Sequence, residues 1–136
     1  ILSGLLIWLV HNYLAFVFVG GARRKYSVPF GFLYEQGRET SKGIEVRSPF
    51  NFYQRGHMQM VENLAAFYFL LLTSGVFSPI NTAIAGAVWA VGRIVYARGY
   101  TIKPGYRVIG ELFYAPAELY MVVNVLVGAW AMTREA

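Results

Sequence analysis

Three segments of the chain carry ionisable, amide and phenol side chains at helical spacing. The sets are Arg55, Gln59 and Glu62, then Arg93, Tyr96 and Tyr100, and then Arg107 and Glu111. Residues three, four or seven positions apart share one face of an α-helix, so each set forms a polar stripe. Arginine offers paired donors to a carboxylate, and a glutamate suits an amine. Converging stripes would therefore form a pocket for a zwitterionic small molecule that is rich in carboxylates.

The same residues have a purely structural interpretation. Arg55 with Glu62, or Arg107 with Glu111, would then be ion pairs that hold a bundle together, since buried pairs often serve structure alone. The tyrosines would be ordinary aromatics of a membrane interface. The placement of all three stripes at one depth favours a ligand site, and the structural interpretation stays open for each pair.

Two histidines and two further polar residues complete the candidates. His57 is interpreted as a polar residue at the rim and not as a metal ligand, because no second histidine, aspartate or cysteine stands near it. His11 has no visible partner on the first apolar segment. Glu118 and Asn124 lie deeper and are predicted to form hydrogen bonds between helices. No metal site is expected.

The composition favours a membrane environment for the elements that position these residues. Of 136 residues, 57% are hydrophobic and only 14% are charged, whereas about a quarter are charged in a soluble domain. Four apolar segments can cross a bilayer, at residues 1–21, 51–77, 82–100 and 108–132. The prediction is one all-α domain over residues 1–136, an integral membrane four-helix bundle of up-down topology.

Two further features bear on the chemistry and on the boundaries of the chain. Cysteine is absent, so neither a disulfide nor a thiolate nucleophile is available within these residues. The sequence begins at Ile1 and its first methionine is Met58, so we expect further residues before Ile1.

Positive charge is concentrated in the first and third connections between the spans. The first contains a polar loop from Ser27 to Pro49 without helical periodicity, and the second connection has no charge. The cations are Arg23, Arg24, Lys25, Arg38, Lys42 and Arg47 in the first, and Arg98, Lys103 and Arg107 around the third. Cytoplasmic loops carry the excess of lysine and arginine, so both basic connections are predicted on the cytoplasmic side and both chain ends opposite.

Three motifs resemble a known superfamily, the membrane-associated proteins in eicosanoid and glutathione metabolism (MAPEG). They are ARRKY at residues 22–26 followed by FLY at 32–34, FNFYQRGH at 50–57 followed by Glu62 and Asn63, and GRIVYARGY at 92–100. The third motif is the most specific, and the resemblance covers nearly the whole chain. Within the superfamily the sequence is most similar to the microsomal glutathione S-transferase 3 type, and it is also similar to leukotriene C4 synthase.

The resemblance implies a homotrimer that binds glutathione as a co-substrate between neighbouring subunits, at the cytosolic side. The implied glutathione ligands are Arg55, Gln59, Glu62, Tyr96 and Tyr100 of one subunit, with Arg23 and His57 of the next. Arg107 takes the place of the arginine that activates the thiol in leukotriene C4 synthase, and Arg24 aligns with a second arginine of the first loop. In a eukaryotic cell the implied location is the endoplasmic reticulum membrane.

The implied activity is that of a membrane-bound glutathione transferase or peroxidase. Arg107 would stabilise the glutathione thiolate, which attacks a lipophilic electrophile or reduces a lipid hydroperoxide. Membrane lipid is a further implied partner, whereas nucleic acid is not. The alternative is a non-catalytic lipid-binding membrane protein resembling 5-lipoxygenase-activating protein, which shares the fold. Retention of the arginines, glutamate and tyrosines together favours the enzyme. A transporter is disfavoured because this short chain has no broken-helix repeat.

Three positions depart from the superfamily pattern. Gln59 stands where asparagine is usual, Gly56 where alanine is usual, and Asn63 where leukotriene C4 synthase has a tyrosine. The longer Gln59 side chain is expected either to deliver the same amide or to misplace a contact with glutathione. Gly56 is expected to loosen its helix turn, since glycine costs about 1 kcal/mol relative to alanine in a helix interior. One ligand contact is expected to be missing at Asn63.

Overall fold

Four long helices make up the part of the chain that the structure describes, a computed structural model of residues 1–35 and 48–135. The helices are α1 (Leu2–Lys25), α2 (Pro49–Phe77), α3 (Pro79–Ile102) and α4 (Arg107–Glu135). All four are long and apolar enough to cross a bilayer. The predicted all-α membrane bundle is therefore confirmed, and the homotrimer stays a prediction.

The helices extend a few residues beyond the predicted spans, and α2 and α3 do so at their starts because each holds a proline in its first turn. Ser48 accepts a hydrogen bond from the Phe50 amide at 3.3 Å, and Pro49 occupies the first turn of α2. Pro79 opens α3 in the same way. Proline is well tolerated in a first turn, where its missing N–H would have had no partner. A 3₁₀ turn at Pro104–Tyr106 leads into α4.

α1 continues through the basic residues that were predicted to lie in the first connection. Arg23, Arg24 and Lys25 form its last turn, where cations interact favourably with the carbonyl end of the helix dipole. The middle of α1 is π-helical over Tyr13–Val19. No feature of the sequence predicted this local widening.

Positive charge in the described residues is concentrated at one end of the bundle, which we call the basic end. It holds Arg23, Arg24, Lys25, Arg98, Lys103 and Arg107. At the other end α2 and α3 are joined by the single uncharged residue Ser78. Arg38, Lys42 and Arg47 of the predicted charge pattern lie outside the described residues. The assignment of the basic end to the cytoplasm stays a prediction.

Aromatic stacking fills the centre of the bundle. The rings of Phe67 and Trp89 stack with their centroids 3.8 Å apart. Ile7, Met60 and Met121 are fully buried around them. These five residues come from all four helices, so a single chain forms its own core before any partner is added.

A polar contact joins three helices at the end away from the basic turns. Asn124 donates to the Ser74 hydroxyl at 2.7 Å and to the Ser74 carbonyl at 3.0 Å. The Ser74 hydroxyl is also 2.8 Å from that of Thr82. The predicted interhelical hydrogen bond of Asn124 is therefore confirmed. Such bonds help to hold helices together in lipid, where apolar faces gain little from meeting each other.

α3 and α4 pack backbone against backbone through glycines. A Cβ atom added at Gly99 would lie 2.7 Å from the carbonyl oxygen of Tyr106, and one added at Gly110 would lie 2.5 Å from the Cα of Tyr96. Small residues permit this close approach between membrane helices. The contact fixes the basic end of α3 against the start of α4.

Gly110→Ala is expected to destabilise the bundle, because the added methyl group would clash with the backbone at Tyr96. Overpacking of this kind costs about 1–3 kcal/mol, which thermal unfolding in detergent should register as a lower melting temperature. Gly75→Ala in α2 is the matched control, since its added Cβ meets nothing within 4 Å and alanine is the better helix former. Equal melting temperatures for the two variants would argue against this packing.

Candidate functional site

The ion pair of Arg55 and Glu62 lies on an open face of α2. Arg55 Nη1 is 2.7 Å from Glu62 Oε1, and the two side chains are 46% and 48% exposed. The predicted pair is therefore present, and it lies at the surface of the single chain. Both charged groups are accessible to a ligand at this face.

Tyr96, Tyr100 and Arg107 form a stacked arrangement, which we call the tyrosine ladder. The two tyrosine rings have centroids 5.9 Å apart, and the Arg107 guanidinium carbon lies 6.0 Å from the Tyr100 centroid. Tyr96 is buried, whereas the Arg107 side chain is 48% exposed, with its Nε 3.7 Å from Glu111 Oε1. An anion at the open end of the ladder would meet a permanently charged guanidinium.

The Arg55–Glu62 pair and the tyrosine ladder share the basic end because α2 packs closely on α3. Phe52, one turn before Arg55, lies against Tyr100 with ring centroids 5.9 Å apart. A Cβ atom added at Gly56 would lie 3.1 Å from the Cα of Ala97. α2 is continuous through Gly56, and the expected loosening of this turn stays a prediction. Gly56 lets the two helices approach.

Arg93 belongs to a buried polar cluster between α3 and α4. Its guanidinium carbon lies 4.5 Å from the Trp89 ring centroid and 4.0 Å from that of Tyr114. Its Nη2 is 3.5 Å from Glu118 Oε1, and its side chain is only 1% exposed. Glu118 also accepts from Trp89 Nε1 at 2.6 Å, which confirms its predicted interhelical hydrogen bond. The surroundings of Arg93 are those of a structural cation.

Gln59 connects this cluster to the open face of α2. Arg93 Nη1 donates a hydrogen bond to Gln59 Oε1. Gln59 also lies between Arg55 and Glu62 on one helical stripe, and its side chain reaches from that stripe to Arg93. Asn63, the other departure on this helix, donates to the Gln59 carbonyl at 2.7 Å. The longer glutamine side chain thus has a function within the chain, because it spans from α2 to α3.

Arg23 holds the segment that follows α1. Its Nη1 donates to the carbonyls of Pro29 and Phe32 at 2.8 and 2.9 Å, and its guanidinium carbon lies 4.9 Å from the Phe50 ring centroid. Arg24 is exposed, and the two arginines line a groove of about 250 Å³. Within the described part of the single chain, Arg23 contacts its own loop and Phe50, and not the tyrosine ladder.

His57 and His11 form a pair on the other side of α2. Their ring centroids are 5.1 Å apart, and His57 is 9% exposed. The prediction that His11 has no partner is wrong, because α1 packs against α2 and brings the two rings to one level. His57 follows Arg55 by two residues, which is about 200° around a helix. The Arg55 and His57 side chains therefore project from opposite sides of α2 within a single chain.

The fold and the site together define an all-α integral membrane bundle with arginine, glutamate and tyrosine gathered at one end. The MAPEG family model matches residues 1–127 of this chain, and the chain belongs to the MAPEG family. The family includes glutathione transferases and proteins of lipid-mediator metabolism, and some of its members are not enzymes. Its proteins bind glutathione and membrane lipids.

Proposed function

We propose that this protein is a membrane-bound glutathione transferase or peroxidase that acts on lipophilic substrates at its basic end. The observation that carries the proposal is the half-exposed Arg107 guanidinium on the tyrosine ladder, on the same end of the bundle as the open Arg55–Glu62 pair. Glutathione has two carboxylates, one amine and one thiol. Arg55 matches one carboxylate, Glu62 matches the amine, and Arg107 provides the cation that a thiolate needs.

Arg55 and Glu62 bind opposite charges of the glutathione zwitterion. The guanidinium donates to a carboxylate, and the glutamate accepts from the ammonium group. The Gln59 amide, between them, donates a further hydrogen bond. Opening the existing pair costs little, because exposed ion pairs contribute at most about 1 kcal/mol. The contacts of Arg55 and Glu62 with glutathione then replace the single contact between these two side chains.

Arg107 supplies the charge that activates the thiol. A free cysteine thiol has a pKa near 8.5, so only a few per cent is thiolate at neutral pH. A permanent cation beside the sulfur lowers that pKa and raises the thiolate fraction. No protein nucleophile is needed, because glutathione brings its own sulfur.

The thiolate serves both proposed reactions. In transfer to an epoxide, the C–S bond forms as the C–O bond breaks, and the alkoxide takes a proton from water. In hydroperoxide reduction, the sulfur attacks the terminal oxygen as the O–O bond breaks, and the lipid alkoxide that leaves takes a proton from water to become the alcohol. A second glutathione then displaces water from the sulfenic acid and gives glutathione disulfide. Holding the two substrates side by side adds the advantage of proximity.

The complete site is proposed to form between the subunits of a homotrimer. Arg55 and Arg107 are exposed at the surface of the single chain. The His57 side chain projects from the opposite side of α2, and Arg23 lies on α1. A neighbouring α1 placed against the tyrosine ladder would bring its own Arg23 and Arg24 to the ligand. The separation of the two groups of residues supports this arrangement.

Arg55→Ala is expected to weaken glutathione binding roughly tenfold to a hundredfold, because a hydrogen bond to a charged group is lost. Isothermal titration calorimetry on the detergent-solubilised protein measures the dissociation constant. Lys103→Ala is the matched control, since it removes one exposed positive charge from the connection between α3 and α4. A loss of the same size in both variants would indicate general electrostatic attraction and would overturn the assigned contact.

Turnover separates the enzyme from the non-catalytic alternative. The purified protein is to be incubated with glutathione and either a lipophilic epoxide or a lipid hydroperoxide, and the conjugate or alcohol is measured. Product above the uncatalysed background supports the proposal. Lipid binding without either product would favour a lipid-binding protein of the 5-lipoxygenase-activating type.

A further inference from the structure

A groove between α1 and α3 carries two cations that the proposed function does not use. It has a volume of about 440 Å³ and opens at the basic end. Its lining includes Tyr13, Val17, Phe18, Lys25, Arg98 and Ile102. Lys25 and Arg98 are both exposed. Apolar walls with two cations form an amphipathic surface on the outside of the bundle.

Arg98 is held in position by α1. Its Nη2 donates to the Tyr13 hydroxyl at 2.6 Å, and its guanidinium carbon lies 5.8 Å from the Phe18 ring centroid. A guanidinium has five N–H donors, so this bond leaves donors that can face a ligand from a fixed position. Among the described residues, the ion pairs engage other arginines, and neither Arg98 nor Lys25 pairs with a carboxylate.

A second groove lies on the other side of Arg98 and is apolar. It has a volume of about 510 Å³, and its lining includes Ile94, Val95, Ile102 and Ile109 together with Arg98. Arg98 and Ile102 line both grooves, and Ile102 is 75% exposed. Arg98 and Ile102 of α3 therefore form a ridge with a groove on each side. The cation on this ridge, Arg98, lies near the basic end of the bundle.

We propose that this ridge binds an anionic diacyl phospholipid, with its phosphate at Arg98 and Lys25 and one acyl chain in each groove. Arg98 lies four residues before the end of α3, about 6 Å along the helix. That position suits a lipid phosphate, and basic pockets between membrane helices recognise anionic headgroups. Arginine also binds phosphate oxygens through paired donors. This site does not depend on the proposed glutathione chemistry.

Lipid retention tests the proposal. The protein is to be reconstituted with equal amounts of palmitoyl-oleoyl phosphatidylglycerol and phosphatidylcholine and then analysed by native mass spectrometry in mild detergent. The wild-type protein should retain more phosphatidylglycerol than phosphatidylcholine. Arg98→Gln and Lys25→Gln should each lower this retention on the order of fivefold, whereas the control Lys103→Gln should not. Equal retention of both lipids by wild type, or an equal loss in Lys103→Gln, would overturn the proposal.

Two further measurements separate the lipid from other occupants. Excess glycerol phosphate should leave the bound lipid in place, and its release would assign the site to a soluble phosphate instead. A photoreactive phenylalanine analogue at Ile102 should crosslink to lipid, whereas a crosslink to another protein chain would show that a second copy covers the ridge. Arg98→Lys, which keeps the charge, should recover part of the retention. No recovery in a variant that melts like wild type would argue against phosphate binding at Arg98.

Discussion

Arg107→Ala is expected to lower turnover on the order of hundredfold or more while glutathione still binds. Removing one group that stabilises a reacting anion typically costs this much in rate. The Arg107 side chain is half exposed on the tyrosine ladder, so its removal leaves no buried partner and should not unfold the chain. The measurements are kcat at saturating glutathione and the dissociation constant from calorimetry.

The pH dependence of the rate gives a second readout of the same change. On the proposed mechanism Arg107 lowers the pKa of the thiol, so we expect wild type to hold thiolate at neutral pH. Without the cation that pKa returns towards about 8.5, and the acidic limb of the profile moves to higher pH. Arg107→Lys keeps the charge and should move the limb less, and the control Lys103→Ala should not move it. Unchanged turnover and an unmoved limb in Arg107→Ala would show that another group activates the thiol.

Arg93→Ala is expected to cause the largest loss of stability among single changes in the polar residues. Arg93 is 1% exposed and lies 3.5 Å from Glu118, between the rings of Trp89 and Tyr114. Its removal leaves Glu118 without its cation. Because Glu118 is 30% exposed, we expect a cost below the about 3–5 kcal/mol of breaking a fully buried pair from one side, which thermal unfolding in detergent should show as a fall in melting temperature.

Two further variants separate a structural Arg93 from a ligand-binding one. Replacing the pair together, as Arg93→Met with Glu118→Gln, should recover part of the lost stability because no uncompensated charge remains. Glu111→Gln breaks only the half-exposed pair with Arg107 and should change the free energy of unfolding by less than about 1 kcal/mol. If Arg93→Ala melts like wild type but no longer binds glutathione, Arg93 is a ligand and the structural assignment is wrong.

The four helices, and the grouping of polar residues on one face of each, follow from local sequence. A run of apolar residues long enough to cross a bilayer has few alternatives to a helix, because lipid offers no partner for free backbone groups. Residues at helical spacing must then share a face, and the structure places Tyr96 and Tyr100 in contact as their spacing predicts. The helix ends were missed by a few residues, because Pro49 and Pro79 were interpreted as parts of connections and instead occupy first turns.

The neighbours of each stripe could not be predicted from spacing alone. Arg93 shares a stripe with Tyr96, yet it is enclosed by residues of α4 and by Gln59 of α2. Helix rotation and crossing set those contacts, and neither is visible in a single helix pattern. The partnership of His11 with His57 depends on the packing of α1 against α2 in the same way. Trp89, one turn before Arg93, was the one local signal that this arginine is held by an aromatic ring.

The most direct test of the proposed function is the ultraviolet thiolate absorbance of glutathione bound to the purified protein at neutral pH. Glutathione is to be titrated into the wild-type protein in detergent, with S-methylglutathione as the control whose sulfur cannot ionise. The proposed mechanism predicts a saturable thiolate signal with glutathione, no signal with the methylated control, and loss of the signal in Arg107→Ala. Absence of binding, or binding without a thiolate signal in wild type, would contradict it.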